Sequence, residues 1–203
     1  MPSEGSLDAL SSLALDAERW LASAGVSYAY VGGFALAFVG RARATRDVDA
    51  IASIDLERLD TLVAAARPFG FALLNSDGFE FARRTLVLRL RHNPTGLPLD
   101  LSLAFTPFEI QAIGAATRFP VHGGNVPVVR PQDLIVMKAF ARRPQDLADI
   151  ASVLDRHPNT DLRPVRRWLR ELGTALDDPS YVTEFDQLVA RWERTRPEGP
   201  ASR

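Results

Sequence analysis

At 203 residues, 46% hydrophobic and 24% charged, the chain has the size and composition of one globular domain or a domain with a helical extension, and no apolar run is long enough to span a membrane. A formal net charge of −1 argues against a surface that attracts duplex nucleic acid broadly, while leaving room for a grip on one RNA end. The absence of cysteine excludes disulfides and thiolate metal sites, and the opening MPSEGSLDALSS lacks the charged start and apolar core of a signal peptide, so a cytoplasmic protein is expected.

Leu10, Leu13, Ala17, Trp20 and Leu21 recur near helical spacing and predict an amphipathic helix over 7–24. Val26 to Val31 reads as a short strand and Phe34 to Val39 begins a helix, which puts Gly32 and Gly33 at a strand-to-helix turn. A missing Cβ lets backbone approach a ligand closely, and the N–H groups of a helix start attract anions. A loop with Arg41, Arg43 and Arg46 leads into Asp47-Val48-Asp49-Ala50, an acidic pair inside an apolar run that reads as a strand. Alternate strand residues share a face, so Asp47 and Asp49 point the same way. Paired carboxylates repel and resist desolvation; a hard cation removes both costs. Mg²⁺ takes oxygen ligands, commonly one or two carboxylates plus substrate phosphates. The stretch therefore points to a metal-dependent triphosphate site. The loop arginines suit phosphate contact through paired guanidinium hydrogen bonds, or form a solvated loop in which Arg46 offsets the acidic pair.

Further along, Asp55 can cap a helix over 56–66, which Pro68 and Gly70 end. Short strands are predicted over 71–74 and 79–84 around a turn at 75–78. Over 85–92, Leu86, Leu88 and Leu90 alternate with Val87, Arg89 and Arg91, a half-buried strand. After a turn at 93–96, Leu99, Leu101 and Leu103 alternate with Asp100 and Ser102, so Asp100 lies on a strand that can neighbour the Asp47–Asp49 strand. A short helix over 108–116 and a hairpin across Gly123-Gly124-Asn125 follow. Pro131 opens a helix to Ala141, Pro144 another over 145–154, and two more cover 162–172 and about 179–194. His92, His122 and His157 are scattered and are expected at the surface or in loops. Lys138 is the sole lysine among 24 basic residues, a place where a compact point charge is wanted rather than a planar fork.

Gly32-Gly33 followed by Asp47-Val48-Asp49-Ala50 resembles the hG[GS]…Dh[DE]h signature of the nucleotidyltransferase superfamily typified by DNA polymerase beta, with the spacer Phe34 to Arg46 at the long end of its range. The resemblance implies an α/β (α+β) nucleotidyltransferase fold: a small mixed sheet packed with helices, then a C-terminal helical extension. It implies Asp47, Asp49 and Asp100 as a metal triad for Mg²⁺, with Mn²⁺ able to substitute. Asp100 would also serve as base, while Gly32, Gly33 and Arg46 contact the NTP. Two metals held this way can grip both the attacking and the leaving oxygen of an in-line displacement.

The segment Val128 to Leu154 resembles a second signature, that of AbiEii-like and MenT-like nucleotidyltransferase toxins, through Pro131, Leu134, Ile135, Lys138, Ala141, Arg143, Asp146, Asp149 and Ile150. Gln145 stands where that pattern has lysine, and Gly33 where it often has serine. By this resemblance Lys138 binds the nucleotide phosphates, and Asp146 orients a catalytic group or acts as base.

The expected organisation is a core over 1–157, a helical extension over 158–195 and a disordered tail over 196–203. The expected reaction moves a nucleoside monophosphate from NTP to a hydroxyl and releases pyrophosphate. The leading acceptor is the tRNA 3′ end, as for a toxin held in check by an antitoxin. A small-molecule modifier of the aminoglycoside or lincosamide type and a catalytically silent nucleotide-binding module are the alternatives. Arg163, Arg166, Arg167 and Arg170 gather on one side of a late helix, where a solvated, ion-paired face is favoured over an RNA grip.

Overall fold

The structure, a computed structural model, describes residues 4–195; the 196–203 tail lies outside the described residues. The chain divides into two compact units. The first is formed by the chain up to Phe38 together with Ala42–Arg130, the second by Val39–Arg41 together with the chain from Pro131 onward. The second unit begins at Pro131, where the helices that follow pack on one another.

The first unit runs α1 (Glu4–Ser23), β1 (Tyr28–Val31), α2 (Gly32–Val39), β2 (Val48–Ala52), α3 (Leu59–Ala66), β3 (Phe71–Leu73), α4 (Gly78–Thr85), β4 (Val87–His92), β5 (Pro98–Leu103), α5 (Pro107–Gly114), β6 (Thr117–Val121) and β7 (Gly124–Val128). The strands form one mixed sheet in the order β3-β4-β5-β2-β1-β7-β6, as the mixed α/β expectation required. β2 pairs with β5 and β1 with β7 in parallel; the other neighbours are antiparallel.

Alternation assigns the faces. Val48, Leu99 and Leu90 form one register row and Ala50, Leu101 and Leu88 the next, all of them buried. Burying each such leucine stabilises the fold by roughly 1.5–3 kcal/mol, and a one-residue slip would turn the whole set outward, which fixes the register. α1 covers this face: Tyr30, opposite Ala50, donates from its hydroxyl to Ala14 O at 2.7 Å. Trp20 stacks near Phe71 and donates to Leu62 O at 3.1 Å, joining α1 to α3. The opposite face of the same strands carries the half-buried Asp49, Asp100 and Arg89.

Three local expectations need correction. The 79–84 strand is instead α4. Its Phe-Glu-Phe alternation mimics a strand, but Gly78 and Ala82 are buried at helical spacing and Thr85 donates back to Phe81 O at 2.8 Å. Asp55 makes no side-chain cap; a 3₁₀ turn, Leu56–Arg58, precedes α3 instead. His92 is fully buried rather than exposed, because it continues the Leu88–Leu90 row toward α1. There its Nδ1 meets Thr95 Oγ1 at 2.9 Å and its Nε2 lies 3.2 Å from the Asp16 carboxylate. Burial lowers the His92 pKa, and Asp16 offsets only part of that.

The second unit packs α6 (Pro131–Ala141), α7 (Pro144–Arg156), α8 (Arg163–Ala175) and α9 (Ser180–Thr195) around Leu134, Ile150, Val153, Leu169 and Phe185. Arg142 turns the chain between α6 and α7 with φ +57°. It is held there by Asp178 at 2.9 Å, Ser180 at 2.7 Å and the Tyr181 ring at 3.5 Å. Residues 39–41 join this unit through Arg156, which donates to Gly40 O at 3.1 Å, and Ser152, whose Oγ accepts from Arg41 N at 3.2 Å. Among the described residues, no helix is long and apolar enough to cross a membrane.

Candidate active site

The glycine pair opens α2 directly after β1. Val31, the last residue of β1, lies opposite Asp49, so the chain passes over Asp49 as it turns into the helix. Gly32 has φ +63°, and a Cβ there would stand 2.7 Å from Asp49 Cγ. The missing side chain is therefore what lets the Asp49 carboxylate lie against the strand-to-helix junction. A Cβ on Gly33 would stand 2.8 Å from Thr45 Oγ1. That hydroxyl donates to Asp47 Oδ1 at 2.7 Å. Each glycine thus accommodates one arm of the acidic segment. Thr45 escaped the sequence reading; its only signal was a hydroxyl two residues ahead of a key carboxylate.

β2 starts at Val48, so Asp47 sits just ahead of the strand rather than within it. Asp49 and Asp100 are direct register partners on adjacent parallel strands, and Asp100 is in turn opposite Arg89 of β4. Three charged side chains thereby cross this face in one row. Carboxylates at the strand spacing of about 5 Å repel by roughly 3 kcal/mol at an effective dielectric near 20. Arg89 relieves part of this: its Nε donates to Asp100 Oδ1 at 3.3 Å. Arg91, two residues along β4, shares the face of Arg89 and is exposed. Neither arginine was singled out from sequence as a site residue, because the strand alternation placed them on a polar face without revealing that β4 neighbours β5.

Among the described residues, no group of three or more His, Cys, Asp and Glu is gathered closely enough to hold a metal ion. Asp47 is turned to Thr45 and Asp100 to Arg89, so the expected triad is not drawn together as one cluster. The donor chemistry nevertheless fits Mg²⁺, which needs only one or two carboxylates when substrate phosphates complete its shell. Asp49 and Asp100, register partners on adjacent strands, would supply that pair. Arg46 is exposed in the loop before Asp47.

Lys138 and Asp146 belong to the second unit, where they form a buried cluster with Asp149. The Lys138 ammonium lies 2.8 Å from Asp146 and 2.7 Å from Asp149, with its side chain only 5% exposed. Asp146 also closes the first turn of α7, accepting from the Arg143 backbone N–H at 3.2 Å and from Arg143 Nε at 2.7 Å. Burial alone would raise the Asp146 carboxyl, but the hydrogen bonds from Arg143 and Lys138 outweigh it and hold the pKa below the usual carboxylate range. On α8, Arg163 pairs with Asp161 at 2.8 Å, Arg166 with Asp186 at 2.7 Å and Arg167 with Glu171 at 3.7 Å, the ion-paired face favoured from sequence.

No protein-family model matches the sequence, and no curated protein matches it significantly. Solved structures do share its fold. The antibiotic-resistance factor ANT(2'')-Ia in solution superposes with a TM-score of 0.60 at 14% identity, over 84% of this chain and 96% of that one. ANT(2'')-Ia in complex with adenylyl-2''-tobramycin gives 0.53 at 14% identity, over 78% and 94%. An antigenic nucleotidyltransferase-like protein from Paracoccidioides brasiliensis gives 0.51 at 21% identity, over 89% and 94%.

Proposed function

We propose that this protein is a nucleotidyltransferase that moves a nucleoside monophosphate from an NTP to an acceptor hydroxyl and releases pyrophosphate. The observation that carries the reading is the Asp49–Asp100 register pair lying beside a glycine junction that has no room for a side chain. Bound Mg²⁺ would neutralise the triphosphate and favour the ionised acceptor hydroxyl. Asp49 and Asp100 would hold it, joined by Asp47 once its carboxylate leaves Thr45. The backbone amides at Gly32 and Gly33 face the triphosphate, where the start of α2 favours negative charge. Arg46 adds an exposed guanidinium beside the acidic segment. Asp100 takes the proton of the attacking hydroxyl. Catalysis then rests on alignment and fixed charge. For Lys138 the role its geometry supports is the counter-charge of a buried acid pair that fixes α6 on α7.

The acceptor in this reading carries phosphates, with the tRNA 3′ end as the leading case and a protein antitoxin as the controlling partner. Support comes from the Val128–Leu154 segment and from Arg89 and Arg91, which present guanidinium groups on the strand beside Asp100. The same charges disfavour a polycationic acceptor. A second reading, adenylyl transfer to an aminoglycoside, draws on the fold shared with ANT(2'')-Ia, one structure of which holds adenylyl-2''-tobramycin. The two separate in one experiment. Label from each α-³²P NTP is offered, with Mg²⁺, to total tRNA and to an aminoglycoside panel, with Asp49→Ala as the blank. Label on tRNA that disappears in the variant supports the first reading. Label on an aminoglycoside replaces it with the second, and transfer to neither leaves the chain as a silent nucleotide-binding module.

A further inference from the structure

We infer that Arg89 is a resident counter-ion that competes with the catalytic cation for Asp100 and must release it when the site is loaded; this rests on the nucleotidyltransferase reading of the same face. Among the described residues, Arg89 has one acidic partner, Asp100, from the neighbouring strand, at 3.3 Å. The pair is loose enough to exchange: the two side chains are 40% and 29% exposed, and half-exposed ion pairs hold by little. It is also placed where exchange has a purpose. Asp100 stands directly opposite Asp49, so without a cation the guanidinium, on Asp100, offsets part of the repulsion between the two carboxylates. The charged group itself lies 6.0 Å from the centre of the Phe81 ring of α4, a second resting surface once Asp100 is released. Arg89 therefore does two things at different times. It screens the acid pair while the site is empty of cation, and it yields Asp100 on loading, becoming free for an anionic group on the side of β4 where Arg91 is exposed.

The test uses the full chain and Mn²⁺ alone as the probe, with free Mn²⁺ read by electron paramagnetic resonance. Removing a competitor strengthens the site, so Arg89→Gln is expected to tighten Mn²⁺ binding about two- to fivefold, the range of a half-exposed ion pair. Arg89→Lys, which keeps the charge, should return the affinity toward that of the parent. A residue that merely props the sheet would weaken binding when replaced. Arg89→Met, which keeps an unbranched apolar stem without the charge, serves as a second variant should the glutamine fail to fold. Unchanged or weaker Mn²⁺ binding in the folded Arg89 variants overturns the inference. Asp49→Asn and Asp100→Asn separate this from the wider reading. If they abolish Mn²⁺ binding while Arg89→Gln does not tighten it, the counter-ion role alone falls. If they leave Mn²⁺ binding intact, the cation is held elsewhere and the active-site reading falls with it.

Discussion

Gly32 concentrates two demands that no other residue type meets together: a φ of +63° and an Asp49 carboxylate where a Cβ would go. Alanine there pays roughly 1–2 kcal/mol for the left-handed backbone, and must in addition push Asp49 out of its row. Gly32→Ala is therefore expected to unfold at a modestly lower denaturant concentration yet to lose far more transfer activity than that stability change explains; a parallel loss of both would show that the junction matters only to folding. Strand alternation was enough to put Asp49 and Asp100 on one face of neighbouring strands, whereas Asp47, read as part of the strand, sits just ahead of it. Thr45 and Arg89 were not legible, since their meaning depends on which strands are neighbours, and a single sequence does not write strand order. His92 misled for a related reason. A lone histidine carries no sign of the Asp16 carboxylate that α1 brings to it.

At the level of elements, strands with clear alternation were readable and short segments with mixed signals were not. β4 and β5 follow their leucine periodicity, whereas α4 was hidden by two phenylalanines at strand spacing. The α6–α7 pair shows an element legible in outline whose central residue has partners the sequence did not announce. The helices lie where their prolines predicted, but the Lys138 ammonium, assigned to phosphate by resemblance, is spanned by two buried carboxylates. Replacing one partner of a buried ion pair leaves the others uncompensated, at a cost of about 3–5 kcal/mol. Lys138→Met should lower the stability of the second unit by that amount, read from chemical denaturation followed by circular dichroism. A near-neutral result would mean that the triad contributes little to holding α6 on α7.

For the molecule as a whole, the mixed α/β class, the following helices and the acidic strand were all available from pattern. The division of the chain was not. Pro131 marks a helix start equally well inside a domain and at a domain boundary, and only the packing of α6 on α7, α8 and α9 decides between them. Fold likeness to ANT(2'')-Ia at 14% identity fixes the architecture and leaves the chemistry to the side chains that this chain places on it. The central claim is that the Asp49–Asp100 face is the transfer centre. Its most direct test is Mg²⁺-dependent pyrophosphate release from NTP in the presence of total tRNA, compared among the parent chain, Asp49→Asn and Asp100→Asn, each first shown to be folded. Loss of charge stabilisation at the reacting phosphate predicts a fall of about a hundredfold or more in both variants. Release at the parental rate in either variant would contradict the account.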